Sequence, residues 1–578
     1  MKSFNPVSLT HSKYIFFTGK GGVGKTSTAC ATAVHLADGG KKILLVSTDP
    51  ASNLQDVFDI NITNTWTTLE EVPNLVVANL DPLQAAEDYK ERVIGPYRGK
   101  LPVAVIDSMA EQLSGSCTVE IAAFNEFSNL LTDADIQNTY DHILFDTAPT
   151  GHTLRMLQLP SAWSNFISEN NHGASCLGQL SGLEDKKGIY RNAMETLANP
   201  DKTTLVLVAK PDNAPLAEAE RASRELREIG VENQTLIING VLSQYDDAVS
   251  QKLFEFQQSA LETMPEALKQ LEQSQIPLRA YNVTGVEKVR ALLTSEDAVF
   301  ETLTNSVEDL MNMDHVIQDL LTTNKKVIFT MGKGGVGKTS IAAKIAHGLL
   351  EKGKKVHLTT TDPAVHLKWV TEERFGLTMS HIDEKAELEK YREEVLGKAR
   401  CEMSEEDLAY IEEDLRSPCT QEIAVFRAFA EIVDKADHEV VVVDTAPTGH
   451  TLLLLDATQS YHREIQRSQG DIPESVKRLL PRLRDPQETE VVIVSLAEAT
   501  PFYEAKRLEA DLKRAGIYTN WWVINASLYA AETSNAFLRA KGSNELEWIR
   551  RIRDHASGSA AVIEWTPQVW RMNAADIS

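Results

Sequence analysis

The stretch FTGKGGVGKTSTA, residues 17–29, decides the fold, and it returns in the same chain as TMGKGGVGKTSIA, residues 330–342. Each copy follows a short β-rich run, YIFFT or VIFT, and precedes an Ala-rich pattern typical of a helix. A Gly-rich loop between a strand and a helix is a defined structural unit. Its presence twice in one chain predicts an internally duplicated fold.

Two further segments repeat in the same order. STDPAS at 47–52 corresponds to TTDPAV at 360–365, and FDTAPTGHTL at 145–154 corresponds to VDTAPTGHTL at 443–452. A chain of 578 residues is also too long for one hydrophobic core. We therefore predict an N-terminal domain over residues 1–305, a linker over 306–325 and a C-terminal domain over 326–578.

The apolar runs of both halves indicate the class of sheet. They are nearly continuous, they alternate with helical stretches, and they comprise ILLVS, LVVAN, HILFD, LVLVA and LIIN, then VHLTT, VVVVD, VVIVS and WWVIN. Strands that are apolar on both faces are typical of a parallel sheet covered by helices on both sides. The predicted fold is α/β: two tandem P-loop NTPase domains, each a mostly parallel doubly wound sheet, that form a pseudo-dimer.

Composition excludes several classes of protein. The chain is 42% hydrophobic and 24% charged, as in ordinary globular proteins, and its net charge of −25 disfavours nucleic acid as a partner. No apolar run approaches the roughly 20 residues needed to cross a bilayer, and the first residues lack the apolar core of a signal peptide. Five widely spaced cysteines argue against a disulfide framework. We expect a cytoplasmic protein with free thiols.

Both Gly-rich loops match G-x-x-x-x-G-K-[ST], which indicates ATP binding. Glycines let successive backbone N–H groups face the phosphates at a helix N-terminus. Lys25 and Lys338 should neutralise the β- and γ-phosphates, and the hydroxyls of Thr26 and Thr339 should bind Mg²⁺. The first loop comprises Gly19, Lys20, Gly21, Gly22, Val23, Gly24, Lys25, Thr26 and Ser27, and the second comprises Gly332, Lys333, Gly334, Gly335, Val336, Gly337, Lys338, Thr339 and Ser340.

Each loop carries an additional lysine, Lys20 or Lys333, directly after its first glycine. This deviant loop resembles that of a class of dimerising ATPases in which the lysine reaches the nucleotide of the partner. It would then stabilise transition-state charge across the boundary, as an arginine finger does. We therefore expect the two halves to face each other; a solvated surface lysine is the alternative.

Four aspartates follow apolar runs and complete the predicted catalytic sites. Asp49 and Asp362 precede Pro-Ala and suit a carboxylate that orients the attacking water, directly or through Mg²⁺. Asp146 and Asp444 end their strands and are the natural Mg²⁺ partners. Helix N-capping is the alternative role for such aspartates. Together with the loops, they indicate Mg²⁺-dependent ATP hydrolysis.

The motifs KGGVGKTS, STDPAS and DTAPTGHT, present in both halves, resemble the arsenite-pump ATPase family, ArsA, in its fused two-domain form. The resemblance covers nearly the whole chain. It implies an ATPase that is stimulated by trivalent arsenic or antimony and that energises an integral membrane arsenite efflux protein. It further implies peripheral association with the inner face of the membrane through that partner. A small metalloid-delivering chaperone is a further candidate partner.

The same resemblance implies a metalloid site between the halves. Its residues here are Cys117, His152, Cys176, Ser417, Cys419 and His450. Trivalent arsenic is soft and prefers thiolate ligands, which supports the choice of cysteines. The alternative for any single cysteine is a buried small apolar residue. Cys30, on an Ala-rich helix, and Cys401 have no repeat partner and are expected to be a core residue and an incidental one.

The positions that hold adenine in that family differ between the halves. LIINGV ends near Asn239, and IPLRAYNVTG supplies Pro277; both resemble adenine-binding positions. WWVINAS supplies Asn525 in the second half. No counterpart of the segment around Pro277 is recognisable after it, so we expect two unequal nucleotide sites.

Three other functions are compatible with parts of the pattern. ATPases that target tail-anchored membrane proteins share the loops, but they resemble single-domain homodimers with an intermolecular zinc C-x-x-C pair and a Met-rich groove. This chain is fused, has no C-x-x-C and has 11 Met. A partition or division-site ATPase would favour a basic surface or a terminal amphipathic helix. A zinc site has no C-x-x-C pair to hold it.

Overall fold

A computed structural model of the chain describes residues 1–48, 54–60, 66–113, 116–147, 183–294, 310–361, 375–402, 411–412, 415, 418–445 and 473–567. The strands of residues 1–294 form one sheet and those of residues 310–567 form another. We call these segments the first half and the second half. The predicted α/β fold, with two mostly parallel sheets, is confirmed.

The first sheet has nine strands in the order β1-β9-β8-β7-β2-β6-β3-β5-β4. All neighbours run parallel except β4 and β5. The strands are β1 Lys2–Ser3, β2 Tyr14–Thr18, β3 Ile43–Ser47, β4 Thr67–Leu69, β5 Val72–Asn79, β6 His142–Asp146, β7 Thr203–Ala209, β8 Gln234–Val241 and β9 Glu272–Pro277.

The described α-helices of the first half cover both faces of this sheet. They are α1 Lys25–Asp38, α2 Leu54–Phe58, α3 Pro82–Ile94, α4 Val103–Gln112, α5 Ser116–Thr132, α6 Ala134–Thr139, α7 Leu183–Ala198, α8 Asn213–Glu228, α9 Ala248–Glu262, α10 Glu266–Lys269 and α11 Val286–Thr294.

The second sheet has seven parallel strands in the order β12-β11-β13-β10-β14-β15-β16. Its strands are β10 Val327–Met331, β11 Val356–Thr360, β12 Leu377–His381, β13 Val440–Asp444, β14 Thr489–Ser495, β15 Thr519–Ser527 and β16 Ala560–Glu564. The described α-helices are α12 Met313–Thr322, α13 Lys338–Glu351, α14 Glu384–Glu402, α15 Pro418–Asp434, α16 Glu474–Arg484, α17 Ala499–Arg514 and α18 Ala536–His555.

The central strands explain why the sheets are parallel and buried. Every residue of β2 is buried; Tyr14 and Phe16 pack into the core on one face, and Ile15 and Phe17 into the core on the other. Successive side chains along the strand thus pack into two different cores, so an apolar residue is required at each of these positions. All the apolar runs quoted above form strands. The shorter or more polar strands β1, β4, β9, β12 and β16, which lie at or next to the sheet edges, were not predicted.

The segment predicted as a linker contains a packed helix. Val316, Ile317 and Leu320 of α12 are buried against α13 and its sheet. Just before α12, Met311 pairs with β16 as β1 pairs with β9. The domain limits at residues 305 and 326 stay a proposal, and by this packing α12 would belong to the second domain.

The two halves meet through polar and apolar contacts. Leu242 of the first half clusters with Leu528 and Leu538 of the second. Beside them, one carboxylate oxygen of Asp247 caps α9 by accepting the Ser250 N–H at 2.7 Å. Its other oxygen accepts the Ser534 N–H at 2.7 Å and the Thr533 hydroxyl at 2.6 Å, ahead of α18. Asp247 therefore accepts hydrogen bonds at the N-terminal ends of two helices that belong to different halves.

These bonds determine the ionisation of Asp247. Burial by itself would raise the pKa of the carboxyl, but the hydrogen bonds from Ser250, Thr533 and Ser534 hold it well below its ordinary value of 3.8. A carboxylate with a lowered native pKa stabilises the folded chain above its unfolded pKa, and that stabilisation is lost as the pH falls.

We predict that Asp247→Asn lowers the midpoint of urea unfolding, with a loss of about 1–3 kcal/mol, because an amide N–H cannot accept the Ser534 bond. The difference from the wild type should be constant between about pH 5 and 8 and shrink below about pH 4. Asp133→Asn is the matched control, since Asp133 caps α6 within the first half alone. An equal loss in both variants would contradict a role for Asp247 between the halves.

Candidate nucleotide sites

The first loop lies between β2 and α1, at the carboxyl edge of the first sheet. The Lys25 ammonium, on a residue only 7% exposed, donates to the Lys20 carbonyl of the same loop at 3.3 Å. The Thr26 hydroxyl donates to Asp146 Oδ2 at 2.8 Å. Asp146 is the last residue of the neighbouring strand β6, which is buried throughout. Sheet order therefore brings two distant motifs into contact.

The second loop repeats this arrangement between β10 and α13. The Lys338 ammonium donates to the Lys333 carbonyl at 3.1 Å, and the Thr339 hydroxyl donates to Asp444 Oδ2 at 2.7 Å. Thr360, at the end of β11, adds a second hydroxyl bond to the same oxygen at 3.2 Å. Both loops thus make the same lysine and threonine hydrogen bonds on the side predicted to face the phosphates.

The donor set of each site fits a magnesium ion. A threonine hydroxyl and a buried aspartate oxygen lie within 2.8 Å of each other, so both can face one small cation. Hard cations such as Mg²⁺ prefer oxygen ligands of this kind. Thr26 with Asp146, and Thr339 with Asp444, are therefore the residues that would hold it.

The two loops touch each other directly. A methyl group placed on the α-carbon of Gly21 would lie 2.5 Å from the α-carbon of Gly334, and one on Gly335 would lie 2.2 Å from the Gly21 carbonyl oxygen. Any side chain at these positions would overlap the opposite backbone. Glycine here permits contact between the loops, as well as approach of the backbone to a phosphate. The nucleotide loops of the two halves consequently face one another.

Asn239 and Asn525, the predicted adenine-binding residues, each form the same hydrogen bond to the phosphate loop of their own half. The Asn239 amide donates to the Val23 carbonyl at 2.8 Å, and the Asn525 amide donates to the Val336 carbonyl at 2.9 Å. Because the NH₂ group of each side chain donates to the loop, its Oδ1 is the atom that can accept a hydrogen bond from a ligand. Oδ1 of Asn525 is buried and has no hydrogen-bond partner among the described residues. Such an acceptor fits the amino group of an adenine.

The additional lysines differ between the halves. The Lys333 ammonium lies 2.6 Å from Glu504 Oε1 on α17 of its own half, and Glu504 is 5% exposed. Within the described part of the chain, no carboxylate forms an ion pair with Lys20. The predicted reach of either lysine toward the opposite nucleotide stays a prediction.

Several predicted residues lie outside the described part of the chain. They are Asp49, His152, Cys176, Asp362, Ser417 and His450. The residues just before Asp49 and Asp362 are described: the Thr48 N–H donates to the Asp146 carbonyl, and the Thr361 N–H donates to the Asp444 carbonyl, each at 2.9 Å. Thr48 and Thr361 are thus bonded to the last residues of β6 and β13.

The backbones of Cys117 and Cys419 occupy equivalent places. Each is the second residue of a 17-residue helix, α5 or α15. These two helices contact each other between the halves. Cys30 is fully buried on α1, where burial raises the pKa of its thiol, so its prediction as a core residue is confirmed.

In the second half, strand β16 lies beside the predicted adenine-binding residue Asn525, and the repeat pattern in the sequence did not reveal this strand. The Trp565 N–H donates to the Ser527 carbonyl at 2.9 Å, as the Leu278 N–H donates to the Val241 carbonyl at 2.9 Å. Strand β16 therefore corresponds to β9, and Glu564 stands where the first half has Pro277. The apolar run AAVIE was the available signal.

A second set of residues was also missed. Glu218 and Arg221 on α8 correspond to Glu504 and Arg507 on α17, in the repeated pattern E-A-x-R. The Arg507 guanidinium crosses to the first half and donates to both oxygens of Asp56 on α2, at 2.8 and 3.3 Å. The repeated pattern was the signal that could have identified them.

Two features are absent from the described residues. No group of three or more His, Cys, Asp or Glu side chains there is arranged to hold a metal ion. No helix in that part of the chain is both long and apolar enough to span a bilayer.

Comparisons with known proteins agree with the geometry. The sequence model of the anion-transporting ATPase family matches residues 12–296, 325–470 and 455–564. The chain is 46% identical over 557 residues to the arsenical pump-driving ATPases of Acidiphilium multivorum and Escherichia coli, covering 95% of this chain and 95% of each relative. The ATPase GET3A of Arabidopsis thaliana is 29% identical over 355 residues, which cover 56% of this chain and 95% of that protein.

We predict that the second site binds ATP more weakly than the first, because Glu564 places a negative charge where Pro277 offers an apolar surface. A fluorescent ATP analogue titrated into Lys25→Ala and Lys338→Ala variants reports each remaining site. Glu564→Pro should tighten the second site about fivefold, a gain of about 1 kcal/mol, and the reciprocal Pro277→Glu should weaken the first. Equal affinities in the parent variants would show that this difference has no effect.

Proposed function

The chain belongs to the anion-transporting ATPase family and is an ATPase, and from that premise we propose that it energises the efflux of arsenite or antimonite. The observation that carries the proposal is the direct contact of Gly21 with Gly334, which makes the two nucleotide loops face each other. Relatives that are 46% identical to the chain, in alignments that cover 95% of it, are named arsenical pump-driving ATPases. ATP hydrolysis between the halves would supply the energy.

The residues of the two sites have distinct parts in this proposal. Lys25 and Lys338 bind and neutralise the phosphates, and Mg²⁺, when bound, supplies further stabilisation of phosphate charge. Asp49 and Asp362 orient the attacking water. Each additional lysine would stabilise charge at the opposite nucleotide. Because hydrolysis of ATP requires little covalent chemistry from the protein, position and charge account for most of the catalysis.

The metalloid site is the second element of the proposal. Cys117, Cys176 and Cys419 would bind As(III) or Sb(III), aided by His152, Ser417 and His450. The contact between α5 and α15 supports this, since these are the helices that carry Cys117 and Cys419 in the two halves. A ligand that bridges both halves favours the closed arrangement, and can shift the equilibrium only by its difference in affinity. By reciprocity, nucleotide should tighten metalloid binding.

The remaining proposals concern location and partners. The ATPase would act in the cytoplasm, bound to the inner face of the membrane through an integral membrane efflux protein. A small chaperone that delivers the metalloid is a further proposed partner. Targeting of tail-anchored proteins is the weaker alternative, because relatives of the GET3 type match only about half of this chain and the chain has no C-x-x-C pair.

We predict that Lys25→Ala and Lys338→Ala each lower metalloid-stimulated ATP hydrolysis by about 10²-fold or more, since each removes a positive charge that stabilises phosphate oxygens. The measurement is the steady-state release of phosphate with saturating ATP, Mg²⁺ and arsenite. Lys352→Ala, an exposed lysine after α13, controls for the loss of a charge alone. Wild-type turnover in either loop variant would contradict a mechanism that needs both sites.

We predict that Cys117→Ser, Cys176→Ser and Cys419→Ser each reduce the arsenite-stimulated rate to the unstimulated rate, because a hydroxyl is a poor ligand for a soft metalloid. ATP hydrolysis against arsenite concentration is the measurement. Cys30→Ser and Cys401→Ser are the controls. Unchanged stimulation in the three site variants, or loss confined to the controls, would refute the assignment.

A further inference from the structure

In the first half, the glutamate and the arginine of the E-A-x-R pattern form an ion pair with each other. The Arg221 guanidinium donates to both oxygens of Glu218, at 2.6 and 3.1 Å, and also to Glu225 at 2.9 Å. Glu218 is 7% exposed, and it lies one helical turn before Arg221 on α8. A buried carboxylate needs such a partner, since an unpaired buried charge is strongly unfavourable.

The same pattern is connected differently in the second half. Arg507 donates to both oxygens of Asp56 in the first half, and Glu504 receives the loop lysine Lys333 at 2.6 Å. Helix α17, which carries Arg507 and Glu504, contacts α2, which carries Asp56. Arg507 therefore crosses the boundary to Asp56, while Lys333 pairs with Glu504 inside the second half.

The sequence explains why this occurs on one side only. In the aligned repeat, the position of Asp56 is occupied by Trp369 in the second half, because STDPASNLQD corresponds to TTDPAVHLKW. At this position only the first half has a carboxylate that an arginine of the other half can bind. Among the described residues, Arg507 accordingly has the carboxylate of Asp56 in the other half and, on its own helix, the carboxylate of Glu504 as a second candidate acceptor, whereas its counterpart Arg221 pairs with carboxylates of its own helix.

We propose that Arg507 is a two-position residue that controls the placement of Lys333. While Arg507 binds Asp56, Glu504 holds Lys333 in its own half. When Arg507 leaves Asp56, it takes Glu504 as Arg221 takes Glu218, and Lys333 is released toward the nucleotide of the first half. This rests on the proposed function, in which Lys333 acts across the boundary; Glu504, Arg507 and Asp56 are positioning residues for it.

Exchange is favoured over simple release of Lys333 for two reasons. Loss of Lys333 alone would remove an ammonium group 2.6 Å from the buried carboxylate of Glu504, and the loss of a charged partner from a buried carboxylate is costly. Arginine is the suitable replacement because its planar fork binds a carboxylate with two parallel bonds, as at Glu218. The spacing of Glu504 and Arg507 is that of Glu218 and Arg221, so the alternative pair is within reach.

The exchange would link Lys333 to the state of the site on which it acts. Asp56 lies on α2, the first described helix after the STDPAS motif of the first half. Movement of α2 relative to α17 would separate Asp56 from Arg507. The expected result is that Lys333 is released by the half whose nucleotide it contacts.

The test is ATP hydrolysis without metalloid by the full chain, in five variants. Glu504→Gln and Asp56→Asn should each raise kcat about three- to tenfold with an unchanged KM for ATP, because both release Lys333 without altering either loop. Asp56→Asn combined with Arg507→Gln should return kcat to the wild-type value, since no arginine remains to displace Lys333. Glu218→Gln, the matched control in the first half, should leave kcat unchanged, and Lys333→Ala provides the reference for loss of the lysine.

Each outcome separates this proposal from the proposed function. Wild-type kcat in Lys333→Ala would show that the lysine does not act across the boundary, and both proposals about it would fail. A severe loss in Lys333→Ala with wild-type kcat in Glu504→Gln would overturn the exchange alone. The exchange is also overturned if the double variant keeps the raised rate of Asp56→Asn, because loosening of the boundary would then suffice as the cause.

Discussion

Backbone contact between Gly21 and Gly334 is the constraint on which the rest of the arrangement depends. Two loops that each lack side chains at these positions can meet at a distance that any other residue would prevent. Each loop is held by its own β-strand and helix, so the contact also brings the two sheets close to each other at this point. It makes the carboxyl edges of both sheets, where Asp146 and Asp444 end their strands, parts of one boundary.

Charge within this boundary is organised despite the acidic surface of the chain. Burial lowers the pKa of Lys210, and Glu498 of the opposite half partly opposes that shift. Lys541 lies 3.5 Å from the same Glu498, and Lys333 lies 2.6 Å from Glu504 on the same helix. Glu498 and the buried Glu504 thus interact with three lysines from both halves. Phosphate groups bound there would compete for the same cations, because charged groups interact more strongly where water is excluded.

Duplication preserved one side of each site and altered the other. The bonds Thr26–Asp146 and Thr339–Asp444, and the bonds of Asn239 and Asn525 to their loops, agree within about 0.1 Å. Pro277 and Glu564 differ, as do Asp56 and Trp369. The phosphate side must satisfy the same geometry around the same chemical group in both halves. The predicted adenine positions and the helices behind them differ between the halves, so the two sites are distinguishable.

The sequence by itself determined the duplication, the parallel sheets and the phosphate loops, because these depend on local spacing and on alternation that can be read along the chain. It also identified Asp146 and Asp444, since strand ends in a parallel sheet meet at one edge. It did not identify the edge strand β16 or the place of Glu564, whose weaker pattern is recognised only through its pairing with β15. Nor did it identify the bond of Arg507 to Asp56. Only the tertiary structure decided these features: the place of Glu564 depends on the pairing of two strands separated in the chain by a helix, and the bond of Arg507 joins residues 451 positions apart whose contact depends on the packing of the two halves.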